Sequence, residues 1–483
     1  MNPGVYLYLV FAGAVASLLF VPLFKYLSIR LGVMDVPRPG RIHTRATPLL
    51  GGPPILLAML AVVGGHFVLG QLLVNTDLHQ GWLSPAVVVR MRSAIGAMPR
   101  LYAILIGALV ILAVGVADDA RSLPVWLRLG TEVAAASIVV GMGVRPELYI
   151  LPKWLVYIVA ILWIVGMTNS FNLIDSMDGL AAGVAAISAA LFGFWAALSD
   201  QPMVALMLAA FVGVLVGFLF FNSSPAGIFL GSSGSMLIGY LLAVTVLVST
   251  FMVGQGAGLL PIAMPIIILG VPLYDTASVV IIRLRRRRSP FTPDLNHLAH
   301  RVHRLGLTRR QTVMFIYLLT FAVAMSAVVL SEYGGMHRSL RTLAVLVQVL
   351  AIFGIVVVLE WVSFGSRYVT LTTPIPAELA IGGDDPLRAS GVLCRLGMTR
   401  ADLEVEELDR AGAARAVSSE VGGRLVIRFE QPFDAMEVGV TVRALEKSEP
   451  GRWRVSLALG ELDASGRKNL EFALTHYRAL GEG

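Results

Sequence analysis

Two carboxylates and two carboxamides recur at three-residue intervals in GMTNSFNLIDSMDGLAAG, residues 166–183: Asn169, Asn172, Asp175 and Asp178. An apolar run, Trp154 to Val165, leads into the stretch, and another, Val184 to Leu198, leads out. Carboxylates at the edge of hydrocarbon are costly and mark function by default. Neighbours three apart share a helix face. At about 100° per residue, however, Asn169 and Asp178 fall on nearly opposite sides of one straight helix. The spacing therefore predicts a helix end or break, with the polar groups around a cleft. The plainer alternative is a re-entrant loop that only caps two helices, and two Asp with two Asn weigh against it.

Four more clusters could do chemistry. Asp118 and Asp119 close the apolar run in VGVADDARS; adjacent carboxylates suit a hard divalent cation or a general base. A lone Asp-Asp pair is ordinarily a solvated helix end, but other acids on the same face tip the balance. Arg41, His43 and Arg45 precede Thr47-Pro48 and Gly51-Gly52. Such side chains hold phosphate oxygens, or simply form a basic topology signal. Asn222 opens the irregular NSSPAGIFLGSSGS, which lacks a Walker-type lysine. Asp294, His297 and His300 lie in DLNHLAH. They offer metal ligation, acid–base chemistry or phosphate contacts, although zinc would require a third clear ligand.

These clusters are positioned by membrane helices. The chain has 483 residues, 56% hydrophobic and 14% charged, against roughly 25% charged in soluble domains. With about 20 apolar residues needed per span, eleven windows qualify: 4–28, 50–75, 101–117, 127–146, 154–174, 178–198, 203–221, 234–252, 258–282, 311–330 and 342–362. The first lacks a basic n-region and is read as a span, not a cleaved signal. The composition thus predicts an all-α polytopic membrane domain over residues 1–365. A small α+β soluble domain of open role follows over 366–483, with alternating GRLVIRFEQP and RWRVSLALGEL as strands and RKNLEFALTHYRAL as a closing helix.

The arginines of 29–48 and 283–310 fall on one side of that count and make it cytoplasmic. Residues 76–100, opposite, carry Arg90, Arg92 and Arg100 against the rule. The net charge of +7 follows from these loops and calls for no nucleic-acid partner. The single Cys394 excludes an internal disulfide and a cysteine metal site. All five polar clusters then gather at cytoplasmic loops or helix ends, as one site reached by soluble substrate from the cytosol and by lipid from the bilayer.

Together, in order, the motifs resemble those of the polyprenyl-phosphate N-acetylhexosamine-1-phosphate transferases, glycosyltransferase family 4. The resemblance covers roughly residues 1–330 through DVPRPGRIH…TPLLGG, VGVADD, Asn169 to Gly183, NSSPAGIFLGSSGS and SPFTPDLNHLAHRV. It implies transfer of an N-acetylhexosamine-1-phosphate, expected to be GlcNAc-1-phosphate, from a UDP-sugar to undecaprenyl phosphate. UMP is released, as the first membrane step of a cell-envelope glycan in the bacterial inner membrane. It further implies Mg2+, with Mn2+ as an alternative, and a homodimer as a candidate assembly. By the same resemblance Asp118 or Asp119 activates the lipid phosphate. Asn169, Asn172, Asp175, Asp178, Asn222 and Asp294 bind substrate, Asp118, Asp175 and Asp178 hold metal, and His297 and His300 contact the diphosphate with Arg41 and His43 assisting.

Two departures stand out: Ser232 where the family has a metal-binding Asp, and Ala299 where it has a His. Ser176 for Gly, and Arg41 and Arg128 for Lys, are smaller ones. The two larger changes motivate a second reading, a catalytically impaired homologue that binds nucleotide sugar or lipid phosphate and regulates. A transporter is a third, disfavoured because the acids cluster on one face and no two-half repeat is visible.

Overall fold

The computed structural model describes residues 3–36, 46–76, 98–146, 151–250, 260–285, 296–303 and 307–332, the strands between 368 and 459, and a few isolated positions. The chain divides into two compact units, one of Met1–Val36 and Arg45–Val357, the other taking in Val358–Gly483.

Eight helices among the described residues are long and apolar enough to cross a membrane. They are α1 (Pro3–Leu31), α2 (Gly52–Asn75, with a π-helical turn at Leu60–Gly64), α3 (Met98–Arg121), α5 (Lys153–Ile174), α6 (Leu180–Leu198), α7 (Pro202–Asn222), α8 (Gly231–Thr250) and α12 (Arg309–Glu332). Shorter helices stand between them: α4 (Val125–Gly141), α9 (Leu260–Ile268), α10 (Gly270–Arg285) and α11 (Leu298–His303).

The expected span at 127–146 is α4, whose 17 residues reach about 25 Å, short of a hydrocarbon core of about 30 Å. The expected span at 258–282 is broken into α9 and α10. Pro272 lacks the N–H that would bond the carbonyl of Ile268, so a continuous helix loses a rung there. Most of 342–362 lies outside the described residues.

The helices divide into inner and outer. In the apolar windows of α6 and α8, 78% of residues are buried within the protein, against 28% for α1 and α2, so α6 and α8 form the centre. The outer face of α1 leaves Leu7, Phe11 and Leu19 exposed, as a lipid-facing surface requires. Lipid is as apolar as leucine, so these helices associate by close packing rather than by hydrophobic transfer. The α1–α7 contact follows that rule. Gly213 and Gly217 form a GxxxG step, and a Cβ on Gly213 would stand 2.1 Å from the carbonyl oxygen of Val10. Tyr240 ties α8 to α3 by donating its buried hydroxyl to the Ile104 carbonyl at 2.9 Å.

The second unit is expected to be α+β, and its described residues show the β part. Its described part is six antiparallel strands: β3 (Tyr368–Ile381), β4 (Leu387–Gly397), β5 (Arg400–Val405), β6 (Gly422–Ile427), β7 (Met436–Glu449) and β8 (Arg452–Leu459), after a two-residue ladder of β1 (Met34–Asp35) and β2 (Thr47–Pro48) in the first unit. The six close into a barrel in the order β3-β4-β5-β8-β7-β6, with β6 pairing back onto β3. Closure leaves no free sheet edge. Bulges in β3, β4 and β7 supply the bending it needs, and Leu393, Leu403 and Leu457 are buried. The expected closing helix at 467–480 lies outside the described residues.

Candidate functional site

The site is built where the last turn of α3 meets the first turn of α8. Asp119 accepts the backbone N–H of Ser232 at 2.7 Å on one carboxylate oxygen and that of Ser233 at 3.1 Å on the other. These are donors that a helix leaves unsatisfied at its N-terminus, where the dipole also favours negative charge. Asp119 therefore caps α8 from a different helix. The turn requires glycine at 231: its φ is +67°, and a Cβ there would lie 2.7 Å from the Asp119 carboxylate.

Asp118 is more heavily engaged. Its Oδ1 accepts the Leu123 N–H at 2.8 Å, and its Oδ2 accepts both the Arg128 guanidinium at 2.9 Å and the Ser232 hydroxyl at 2.6 Å. The Arg128 pair is largely withdrawn from solvent, with side-chain exposures of 22% and 8%, so each charge depends on the other.

The central stretch breaks as its spacing predicts. Helix α5 ends at Ile174 and α6 begins at Leu180, with Asp175 and Asp178 in the intervening turn. Asn169 and Asn172 remain on α5. Asn172 accepts the Ser235 hydroxyl at 2.9 Å, joining α5 to α8. Asn169 donates to Glu132 of α4 and, at 2.9 Å, to the Val165 carbonyl. Asp178 accepts the Ala226 N–H at 3.1 Å. Asp175 is half-buried, and its carboxyl is pushed up from 3.8 to about 8, chiefly by loss of hydration, then by the charges of Asp119 and Asp178. Three carboxylates from α3 and the α5–α6 turn thus share one electrostatic neighbourhood.

Asn222 is buried and occupied at both ends. It accepts the Gly179 N–H at 3.1 Å and donates to the Ile228 carbonyl at 2.9 Å. Its visible role is to fix the 223–228 loop to the α5–α6 turn. His297 and His300 lie at the start of α11, ring centroids 6.5 Å apart. His297 Nδ1 meets Asp275 Oδ2 at 2.9 Å. Arg41, His43 and Asp294 lie outside the described residues.

Sequence reasoning missed Glu132 and Asp275, which are 1% and 0% exposed. Each is a single acid inside an apolar helix, and the cost of burying a carboxylate in such a place was the available signal.

Hard oxygen donors suit Mg2+, and Asp175, whose ionisation is disfavoured by lost hydration and by the charges of Asp119 and Asp178, is a place where a cation could replace the carboxyl proton. The residues fit a cation at Asp175 in that respect. Asp118 already holds Arg128 and Ser232, and no ready-formed group of three metal-ligating side chains occurs among the described residues.

The family model described as glycosyl transferase family 4 matches residues 101–250, which run from α3 to α8 and carry both Asp pairs. A protein of Bacillus subtilis (strain 168), named a probable undecaprenyl-phosphate N-acetylglucosaminyl 1-phosphate transferase, is 30% identical over 323 residues, 65% of this chain and 82% of its own. The chain belongs to glycosyl transferase family 4. Other similar proteins are the decaprenyl-phosphate N-acetylglucosaminephosphotransferase of Mycobacterium tuberculosis (strain H37Rv), 31% identical over 331 residues (63% of this chain, 77% of the relative), and the undecaprenyl-phosphate alpha-N-acetylglucosaminyl 1-phosphate transferase of Yersinia pestis, 27% identical over 326 residues (65% and 81%). The family expected from the five motifs is thereby borne out, as is a multi-pass membrane protein. Against the family pattern, Ser232 occupies the α8 N-terminus, and Ala299 is 1% exposed in the core, where a histidine would need more room.

Proposed function

We propose that this family 4 member transfers N-acetylhexosamine-1-phosphate, specifically GlcNAc-1-phosphate, from UDP-GlcNAc to undecaprenyl phosphate at the cytoplasmic face of a bacterial inner membrane. The observation that carries the reading is that Asp119, Asp175 and Asp178, at the ends of membrane helices, lie close enough for the charges of Asp119 and Asp178 to act on Asp175. Anionic substrates from water and lipid can converge there. The names of the relatives support the reaction class, and the arginines around 283–310 support the orientation.

An oxygen of the lipid phosphate forms a bond to the β-phosphorus of the UDP-sugar. The bond from that phosphorus to the bridging oxygen breaks, and UMP leaves with the bridging oxygen. Asp119 is the proton acceptor for the lipid phosphate, because each of its oxygens has only one backbone N–H partner. Asp118, held by Arg128 and Ser232, fixes the end of α3. Asn172, Asp175 and Asp178 bind the nucleotide side, while His297 and His300 face the diphosphate. Asp175, with Asp119 and Asp178 nearby, would hold Mg2+, which would supply screening of the phosphate charges.

The Ser232–Asp118 hydrogen bond favours a second reading. A neutral hydroxyl fills the place of a family carboxylate, as in an impaired homologue that binds but does not turn over. One experiment separates the two. Purified full-length protein is given labelled UDP-GlcNAc, undecaprenyl phosphate and Mg2+, with Mn2+ in parallel, and label is counted in organic-extractable lipid. Product that disappears in Asp119→Asn supports the transferase. Nucleotide-sugar binding without product, across a panel of UDP-sugars, supports the impaired homologue.

A further inference from the structure

We propose that Asp275 is a positioning residue for His297, fixing its tautomer so that Nε2 takes or holds the proton at the substrate's phosphate group. The inference rests on the reading of His297 as a phosphate-facing residue.

The pair joins two elements that the sequence separates by a loop. Asp275 lies on α10 and is fully buried, and His297 stands at the start of α11 with 7% exposure. Both oxygens of Asp275 are in use. Oδ2 faces His297 Nδ1 at 2.9 Å, and Oδ1 accepts the Leu298 N–H. A buried carboxylate facing two nitrogens acts as acceptor to both, so Nδ1 carries its proton toward Oδ2. The Nε2 edge makes no hydrogen bond to any described residue. With Nδ1–H fixed, Nε2 has a lone pair in the neutral ring. Any proton it takes from a phosphate oxygen makes the ring a cation with a carboxylate behind it. Neighbouring groups brace this arrangement. The Arg301 guanidinium donates to Ser278 at 2.6 Å and lies over the Tyr274 ring, 5.7 Å from its centroid, so α11 is pinned to α10 beyond the pair as well.

Asp275→Asn separates tautomer from packing, because its amide is nearly isosteric. The Leu298 N–H still demands an acceptor, so the amide oxygen stays there. The NH2 then faces His297 and donates to Nδ1, which moves the ring proton to Nε2. The loss of catalysis when a triad Asp becomes Asn has the same origin.

The test uses full-length protein labelled with 15N-histidine in lipid nanodiscs, with the His297 signals among those of 8 histidines assigned by their disappearance in His297→Gln. Wild type should show a protonated Nδ1, and Asp275→Asn the Nε2–H tautomer. The same tautomer in both overturns the proposal. Turnover is the second arm. Asp275→Asn should lower kcat by about 10²-fold, within the range of acid–base contributions, with an unchanged thermal midpoint. Asp275→Asn/His297→Gln should be no slower than His297→Gln alone, and Asp275→Glu should recover part of the rate. Losses that multiply in the double variant mean two independent roles and also overturn it. A wild type without turnover counts against the transferase reading, and the tautomer measurement still decides this one.

Discussion

Ser232 donates its hydroxyl to Asp118 Oδ2 at 2.6 Å, the same oxygen that receives Arg128 at 2.9 Å. With the Leu123 N–H on Oδ1, the buried carboxylate has three donors in all and requires no cation. A carboxylate in place of Ser232 would set two negative charges against each other at the start of α8. Such a pair is stable when a proton or a metal ion lies between them. The choice of side chain at this one position therefore governs how strongly the end of α3 depends on a cation.

Ser232→Asp should make the protein's stability depend on Mg2+. Two charges about 4 Å apart repel by roughly 4 kcal/mol at an effective dielectric of 20, and Arg128 and solvent offset part of that. The thermal midpoint of the variant should fall by several degrees in EDTA and return with Mg2+, while wild type responds much less. If the remaining site is intact, metal-dependent turnover should also rise. Differential scanning fluorimetry with and without chelator reads the first effect. Equal responses in wild type and variant would mean that residue 232 is not near the cation.

Asp175 predicts a pH dependence of known sign. Its folded-state pKa of about 8 lies above the ordinary 3.8. Between those values the folded protein holds a proton that the unfolded chain has released, so this group's contribution to stability falls as pH rises through the window. A cation at Asp175 must displace that proton. Mg2+ affinity should therefore rise with pH up to about 8, at most about tenfold per pH unit for one proton displaced, and level off above. Asp175→Asn should bind Mg2+ weakly at every pH and lose the slope. Calorimetric titrations from pH 6 to pH 9 would show it, and a flat wild-type profile would remove Asp175 from the cation site.

The sequence made much of the site legible because its carboxylates stand at helix ends, where apolar patterning stops and a polar residue is conspicuous. Asp118, Asp119, Asp175 and Asp178 were all found that way. Glu132 and Asp275 were not, because each lies within a helical run and looks like an isolated exception. Only the three-dimensional pairing with Asn169 and His297 gives them partners. The break between α9 and α10 was likewise hidden, since Pro265 and Pro272 do not interrupt hydropathy. In the second unit, alternation marked strands such as 422–427 and 452–459. Barrel closure depends on β5 meeting β8 and β3 meeting β6, pairings between distant residues that local patterning does not encode.

Glu132 should prove functional rather than a prop. It is 1% exposed on α4 and accepts the Asn169 amide. Burying a carboxylate that has no opposite charge bonded to it costs far more than burying an apolar side chain of similar size. Glu132→Leu should accordingly keep or raise the thermal midpoint yet lower turnover by tenfold or more, because Asn169 loses the acceptor that orients it. Glu132→Gln should fall between. A Leu variant that unfolds, or that turns over at the wild-type rate, would show Glu132 to be structural or dispensable.

Asn222 is a clamp, and its variants should separate along its two bonds. The acceptor end holds the Gly179 N–H at 3.1 Å and the donor end holds the Ile228 carbonyl at 2.9 Å. Both are backbone groups at turns, with no helical partner in register. Asn222→Ala removes both partners from a buried position. Each stranded group costs about 1–3 kcal/mol, so stability should drop by roughly 2–6 kcal/mol. Asn222→Asp keeps the acceptor for Gly179 but turns a second oxygen toward the Ile228 carbonyl. The two oxygens repel, so this near-isosteric change should destabilise at least as much as alanine at neutral pH and recover as pH falls and the carboxyl protonates. Thermal melts at pH 5 and pH 8 test the sign. If Asn222→Asp were stable at both while its KM for the nucleotide sugar rose sharply, Asn222 would be a substrate ligand instead of the tie between the 223–228 loop and the α5–α6 turn.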